Sequence, residues 1–334
     1  MNIKSKSTIE SEKTDTSYKG HFQSQGALNL NTKKTMHGHL MALFTMLIWG
    51  TTFISTKILL DDFTPIEILF FRFSLGLTIL ILIFPKRLKG TNLRQELMFA
   101  AAGLCGVTMY FLLENIALTY TLVSNVGVIL SVAPIFTAIL SHWFLDEEKL
   151  NINLFIGFII AILGIALINF NGRIVLNLNP LGDLLAVLAA AVWAVYSVFI
   201  KKISAFGYNT IQTTRRTFFY GLVFMLPALL IFPFQLGLER FSKPENLFNI
   251  LYLGLGASAI CFVTWNAAVR ILGAVKTSIY IYIGPAITIV TSIIVLNEKI
   301  TWIAACGTLL TLTGLFVSER KHKSEKMSRS QAKP

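Results

Sequence analysis

ENIALTYTLVSNVGVILSVAPIFTAILSHWFLDEEKL, residues 114–150, could lie in oil over most of its length, yet it opens on a carboxylate, carries a proline in its apolar middle and closes on an acidic cluster. Spanning a bilayer as a helix takes about 20 mostly apolar residues, and blocks of that kind recur along the chain. Ten are expected, at 37–59, 64–84, 95–119, 121–144, 151–170, 180–200, 211–234, 246–270, 274–296 and 301–318. A barrel strand needs only about 9–11 residues of alternating pattern. The expected class is therefore an all-α integral membrane protein.

Composition agrees. The 334 residues are 54% hydrophobic and 14% charged, and the mean hydropathy is +0.66. A soluble domain carries about 25% charged residues, more than this chain can offer to water. The net charge of +12 does not point to nucleic acid, because the charges sit in tails and short connections and no basic-plus-aromatic module is present. Cys105, Cys261 and Cys306 lie inside apolar blocks, none in a CxxC pair, and read as small buried side chains rather than a disulfide or metal set. No metal and no cofactor are expected.

Residues 1–36 are polar and read as a disordered cytoplasmic tail, and 319–334 as a basic one. The first apolar block lies too far from the start for a signal peptide. Lys and Arg favour cytoplasmic links. With the N-terminus inside, the inner links hold Lys86, Arg87, Lys89, Arg94, Lys149, Lys201 and Lys202, and the C-terminal tail adds Arg320, Lys321, Lys323 and Lys326. The outer links hold Arg173, Arg240, Lys243 and Lys299. A multi-pass protein of the cytoplasmic membrane with both termini inside is expected.

The chain is doubled. A shift of 144 lays Gly38, Trp49, Lys57 and Arg72 on Gly182, Trp193, Lys201 and Arg216. A shift of 151 lays Gly103, Phe111, Asn115, Ala117, Pro134, Thr137, Ser141, Leu145 and Glu147 on Gly254, Phe262, Asn266, Ala268, Pro285, Thr288, Ser292, Leu296 and Glu298, and a shift of 150 lays Gly157 and Gly164 on Gly307 and Gly314. Chance pairs Leu with Leu; it does not pair Trp, Asn, Pro and Glu at nearly constant offset. Five spans per copy is an odd number, so the copies at 37–170 and 180–318 must enter the membrane from opposite sides. The expected architecture is ten transmembrane helices as two inverted five-helix repeats, as in many secondary transporters.

The segment ALTYTLVSNVGVILSVAPIFTAILSHWFLDEEKL, its second copy AAVRILGAVKTSIYIYIGPAITIVTSIIVLNEKIT, and the opening LIWGTTFISTKIL with PIEILFFRFSLG resemble the EamA family of the drug/metabolite transporter superfamily. The resemblance covers about residues 37–318. It implies ten helices, an inverted pair of repeats, export or exchange of amino acids and related metabolites, and a central cavity lined by the first and sixth spans.

Candidate residues follow from the cost of polar groups in a membrane. Glu114, in the outer third of its span, costs roughly 2.5–3.5 kcal/mol if ionised at the centre. It reads either as a proton carrier or partner of a substrate ammonium, or as a paired structural carboxylate; Trp265 stands at its place in the second copy. Asn115 and Asn266 must turn from lipid. Trp49 and Trp193 sit too deep for the interfacial aromatic belt, with Thr52 and Tyr196 three residues on. Tyr110, Asn125, Tyr280 and Tyr282 extend an aromatic wall with scattered polar groups, suited to a small amphipathic ligand. Pro134 and Pro285 remove a backbone donor mid-span and are the candidate hinges. Asp146, Glu147, Glu148 and Glu298 read as caps of the next helices. Arg216 can snorkel to the inner end, whereas Arg72 needs a partner that helical spacing does not supply.

No GxxxxGK[ST] loop is present, so a gradient of protons or of substrate would drive transport. No HExxH or GxSxG motif is present either, which makes an integral-membrane enzyme a distant alternative. The expected function is secondary active export or exchange of small metabolites such as amino acids by alternating access, with efflux of drugs or amphipathic cations as the alternative. Expected partners are the small-molecule substrate, protons and membrane lipid.

Overall fold

No proline interrupts the chain before Pro65, and in the computed structural model the first helix, α1, runs Lys4–Leu59. Residues 4–121, 123–145, 152–170, 179–287, 291 and 302–319 are described, with side chains from Thr32 onward. The polar tail expected to be disordered thus continues α1 backward from its membrane-length part, Thr32–Leu59; between Lys4 and Thr32 there is no proline to break a helix, and Gly20 and Gly26 are its poorest helix formers.

The later helices are α2 (Pro65–Ile83), α3 (Leu93–Tyr120), α4 (Val123–Leu130), α5 (Ala133–Phe144), α6 (Ile152–Phe170), α7 (Pro180–Ser204), α8 (Thr210–Ile231), α9 (Pro244–Leu272), α10 (Ala274–Ser278) and α11 (Trp302–Glu319). Local chemistry starts several of them. Thr64 and Glu67 form a capping box before α2, and Asn92 and Gln95 form one before α3. Asn179 and Asn209 accept backbone N–H bonds at the starts of α7 and α8. No strand occurs among the described residues.

Six helices, namely α2, α3, α7, α8, α9 and the Thr32–Leu59 part of α1, are long and apolar enough to cross a membrane. The other four expected spans fall on α4 with α5, on α6, on α10 with the 3-10 turn after it, and on α11; these are shorter or run into residues outside the description. Large apolar side chains face outward, among them Leu82, Leu163, Leu230, Phe248, Trp302, Leu309 and Phe316. The interior holds Arg72, Glu67, Glu114 and Asn115. Apolar outside with polar groups turned inward is the arrangement lipid demands, and the chain is a multi-pass membrane protein.

The contacts exchange between the two copies. Helix α1 packs on α9, and its counterpart α7 packs on α3; α2 meets the middle of α9, and its counterpart α8 meets the middle of α3. Gly38 lies against Ile271 and Leu272, and Gly182 against Tyr120 and Thr121, the same positions less 151. Gly157 touches the Gly314 carbonyl, and Gly164 touches that of Gly307. Counterparts also meet at the centre, where the Trp49 and Trp193 rings lie 5.3 Å apart and the Phe111 and Phe262 rings 6.0 Å apart.

Polar clamps join the copies at both ends. At one end Glu67 accepts from Arg240 at 2.9 Å and from the Gln235 N–H at 2.7 Å, while Lys243 and Asn246 bond Asp62. The bonds from Lys243 and then Asn246 hold the Asp62 carboxyl below the usual carboxylate range. At the other end Glu96 takes Arg216 at 2.9 Å and Tyr220 at 2.5 Å, and Arg215 caps the carbonyls of Phe84 and Lys86. Arg216 therefore ends on a carboxylate rather than merely reaching the interface.

Two glycine substitutions test the close approach of α6 and α11. A Cβ at Gly314 would meet the Gly157 carbonyl and the Ala161 N–H at 2.6 Å, whereas one at Gly127 meets nothing within 4 Å. Gly314→Val is expected to destabilise by about 1–3 kcal/mol, the usual cost of overpacking, and Gly127→Ala to be tolerated, both read as thermal unfolding in detergent.

Candidate functional site

The centre of the bundle is where the shared aromatic positions converge. Trp49 of α1, Trp193 and Tyr196 of α7, Tyr110 and Phe111 of α3, and Phe262 and Trp265 of α9 pack edge to face or tilted, with neighbouring ring centroids 4.7–6.2 Å apart. In this structure they close on one another instead of standing apart around an open chamber.

Both helices of the α3/α9 pair loosen beside this cluster. Leu104–Met109 in α3 and Tyr252–Ile260 in α9 are wound as π-helix, at positions that overlap under the 151-residue shift. Such widened turns are frequent at functional sites. The Tyr196 ring occupies the space a Cβ at Gly106 would take, so only glycine fits there. Trp49 donates its indole N–H to the Ala257 carbonyl at 2.9 Å, and Thr108 donates to Gly221 at 2.8 Å.

Arg72 finds what the sequence left unnamed. Its Nε donates to the Ser258 hydroxyl at 3.0 Å, and its guanidinium stands 4.4 Å from the Phe111 ring centre. It is buried, as is Glu114. Glu114 remains half-satisfied, because its Oε2 has no protein partner.

The candidates separate by what their polar atoms touch. Trp193 Nε1 and Trp265 Nε1 are buried without a partner, unlike Trp49. Asn266 is fully engaged: Tyr196 donates to its Oδ1 at 2.9 Å, and its Nδ2 donates to Thr214 at 3.0 Å. Asn115 donates to the Pro65 carbonyl at 3.3 Å, and its Oδ1 has no partner. Thr52 donates back to Trp49 O within α1. Tyr280 bonds His39 at 2.7 Å, at the α1 side of the 3-10 turn, while the Tyr282 hydroxyl is buried without a partner. The side chain of Asn125, and Asp146, Glu147, Glu148 and Glu298 entire, lie outside the described residues.

Pro134 does not bend a continuous helix. The chain turns at Ser131–Val132, and Pro134 sits in the first turn of α5, where its missing N–H costs nothing. Pro285 likewise follows a change of winding, the 3-10 turn Ile279–Ile283.

Spacing arguments missed Ser258, Glu67 and Arg240. Ser258 lies one residue after Ala257 in the π segment, and nothing in the one-dimensional pattern marks a π turn. Glu67 bonds to Arg240, 173 residues away, beyond any helical period.

A membrane bundle of two like halves closed over a buried, partly unsatisfied polar centre belongs to the class of multi-pass membrane transport proteins. The profile of the EamA-like transporter family matches residues 36–170 and again 180–319, and the chain belongs to that family. It is similar to an uncharacterized transporter of Archaeoglobus fulgidus, 28% identical over 85% of this chain and 97% of that one. A second relative is the uncharacterized transporter YyaM of Bacillus subtilis, 25% identical over 85% and 94%. A third is a probable terminal-alkyne amino-acid exporter of Streptantibioticus cattleyicolor, 25% identical over 84% and 92%. A crystal structure 18% identical shares the fold with a TM-score of 0.67, covering 84% of this chain and 97% of its own.

Arg72→Met should destabilise the protein by about 1–3 kcal/mol, because it leaves the buried Ser258 hydroxyl without its donor and removes the cation nearest in charge terms to the buried Glu114 carboxyl. Adding Glu114→Gln to that variant should recover part of the loss in thermal unfolding. If the two effects simply add, the charges are not coupled.

Proposed function

We propose that the protein is a secondary active transporter that exports or exchanges small metabolites, α-amino acids first among them, across the cytoplasmic membrane by alternating access. The observation that carries this is the set of buried polar atoms left without protein partners at the centre: two indole N–H donors, on Trp193 and Trp265, and one carboxylate acceptor, Glu114 Oε2. Unmade hydrogen bonds in a buried site cost about 1–3 kcal/mol each. A zwitterion satisfies all three, its carboxylate taking the indole donors and its ammonium taking Glu114. The exporter named for amino acids among the relatives supports the same class.

The exchanging contacts of the two copies, together with the odd number of spans expected in each, support ten helices in inverted five-helix repeats. Such repeats swap conformations at little net cost, as alternating access requires. The breaks before Pro134 and Pro285 are the proposed hinges, and both termini are proposed to be cytoplasmic. Glu114 is the proposed proton carrier: a carboxylate that releases the substrate ammonium on protonation couples export to the proton gradient. A second reading, efflux of amphipathic cations, draws on the indole and phenol rings around Glu114, which suit an organic ammonium.

Counterflow in proteoliposomes with a panel of amino acids and organic cations tests the class. Trp193→Phe and Trp265→Phe keep the rings and remove one donor each, and each should weaken amino-acid affinity about tenfold, the worth of a hydrogen bond to a charged group. Amino-acid counterflow that is absent, or indifferent to both changes, overturns the reading; cation counterflow alone favours the second. Glu114→Gln should abolish the pH dependence of exchange while leaving the protein stably inserted.

A further inference from the structure

The symmetric asparagines are not in symmetric states. Asn266 joins three helices: from α9 it accepts the Tyr196 hydroxyl of α7 and donates to Thr214 of α8, and all three residues are buried. Asn115, its image on α3, makes one bond of 3.3 Å to the Pro65 carbonyl of α2 and leaves Oδ1 empty. The image of Tyr196 under the 144-residue shift is Thr52, whose hydroxyl is spent on its own helix at Trp49 O, 2.7 Å away. The image of Thr214 under the same shift is Phe70, so only the second copy holds this bridge.

The bridge also borders a small recess at the Glu96 end, lined by Ile203, Ser204, Tyr208, Thr213, Arg270 and Asn266. Asn266 is the most buried of its polar residues, and the residue before it in the chain is Trp265, whose unpartnered indole N–H belongs to the centre.

We propose that the Asn266 bridge is a bolt on access from the recess to the centre, and that this structure has the bolt shut. The proposal rests on the carrier reading for its purpose. When the recess opens to the centre, Asn266 gives up Tyr196 and Thr214, and the helices α7, α8 and α9 that it ties are free to part.

The test needs no substrate. Ile203 lines the recess and is buried at 2% exposure. In purified protein with Cys105, Cys261 and Cys306 changed to Ala, Ile203→Cys reports opening by its rate of reaction with a water-soluble maleimide. Tyr196→Phe and, independently, Thr214→Val should each speed labelling about fivefold, the population shift expected from one lost hydrogen bond. Thr52→Val, which removes only a bond within α1 to Trp49 O, should not speed it. Native labelling rates in the Tyr196 and Thr214 variants overturn the proposal. So does equal acceleration by Thr52→Val, which would mean general loosening. If one variant fails to stay monodisperse, the other carries the test. Amino-acid counterflow with unmoved labelling sinks the bolt and leaves the carrier; moved labelling without amino-acid counterflow does the reverse.

Discussion

A polar atom inside a bilayer has no water to turn to, so every buried N–H, hydroxyl and carboxylate must find its partner within the protein or stand at a cost. That constraint organises this molecule. It sends Glu67 to Arg240 and two backbone amides, Glu96 to Arg216 and Tyr220, and Asn266 to Tyr196 and Thr214. Unpartnered buried atoms also occur away from the centre, on Ser141, Arg216 and Ser318, but those at the centre lie together on facing helices. Trp193 Nε1, Trp265 Nε1 and Glu114 Oε2 sit where four helices converge, and a protein that satisfies a carboxylate 173 residues away in sequence had the means to satisfy these. Their incompleteness is better explained by a guest than by neglect.

Much of the fold is legible in the chain because its signals are one-dimensional. Span length sets the helices, capping residues set their starts at Thr64, Asn92, Asn179 and Asn209, and the recurring offsets announce two copies that the family profile then matches separately. What could not be read was local winding and long-range pairing. The π turns in α3 and α9 follow from how a helix meets its neighbours: the Tyr196 ring over Gly106 and the Trp49 indole on the Ala257 carbonyl need the partner in place. Pro134 was expected to kink a helix and instead begins one, because the chain had already turned two residues earlier. The polar tail was expected to lack structure because its composition buries nothing, yet nothing in it forbids continuing α1.

The candidate site divides in the same way. Residue type and depth singled out Trp193, Asn115, Asn266 and Glu114, all of them buried, and Trp49, which is half-buried. They could not rank them, because rank depends on each atom's partner. Trp49 and Trp193 are equivalent in sequence, but one indole is spent on a backbone carbonyl and the other is free. Tyr280 looks like a wall residue until His39 of α1 engages its hydroxyl.

Each of these differences is a departure from symmetry, and symmetry gives it meaning. Two like halves could place identical groups on both sides of the axis, and the rings do so: Trp49 faces Trp193 and Phe111 faces Phe262. A site with perfect two-fold symmetry would bind a symmetric ligand best. Replacing one member of the Glu114/Trp265 pair with a carboxylate gives the centre an acidic side and a donor side, and Arg72 on the Ser258 hydroxyl keeps the added charge from standing alone. On the proposed carrier reading, a ligand with opposite ends would be held there in one orientation, while the like aromatic positions would let the surrounding helices exchange roles around it. Shared scaffold and broken centre would then be complementary: the first would give two states of similar energy, and the second would make those states bind the same ligand differently, without which no ligand could shift one toward the other.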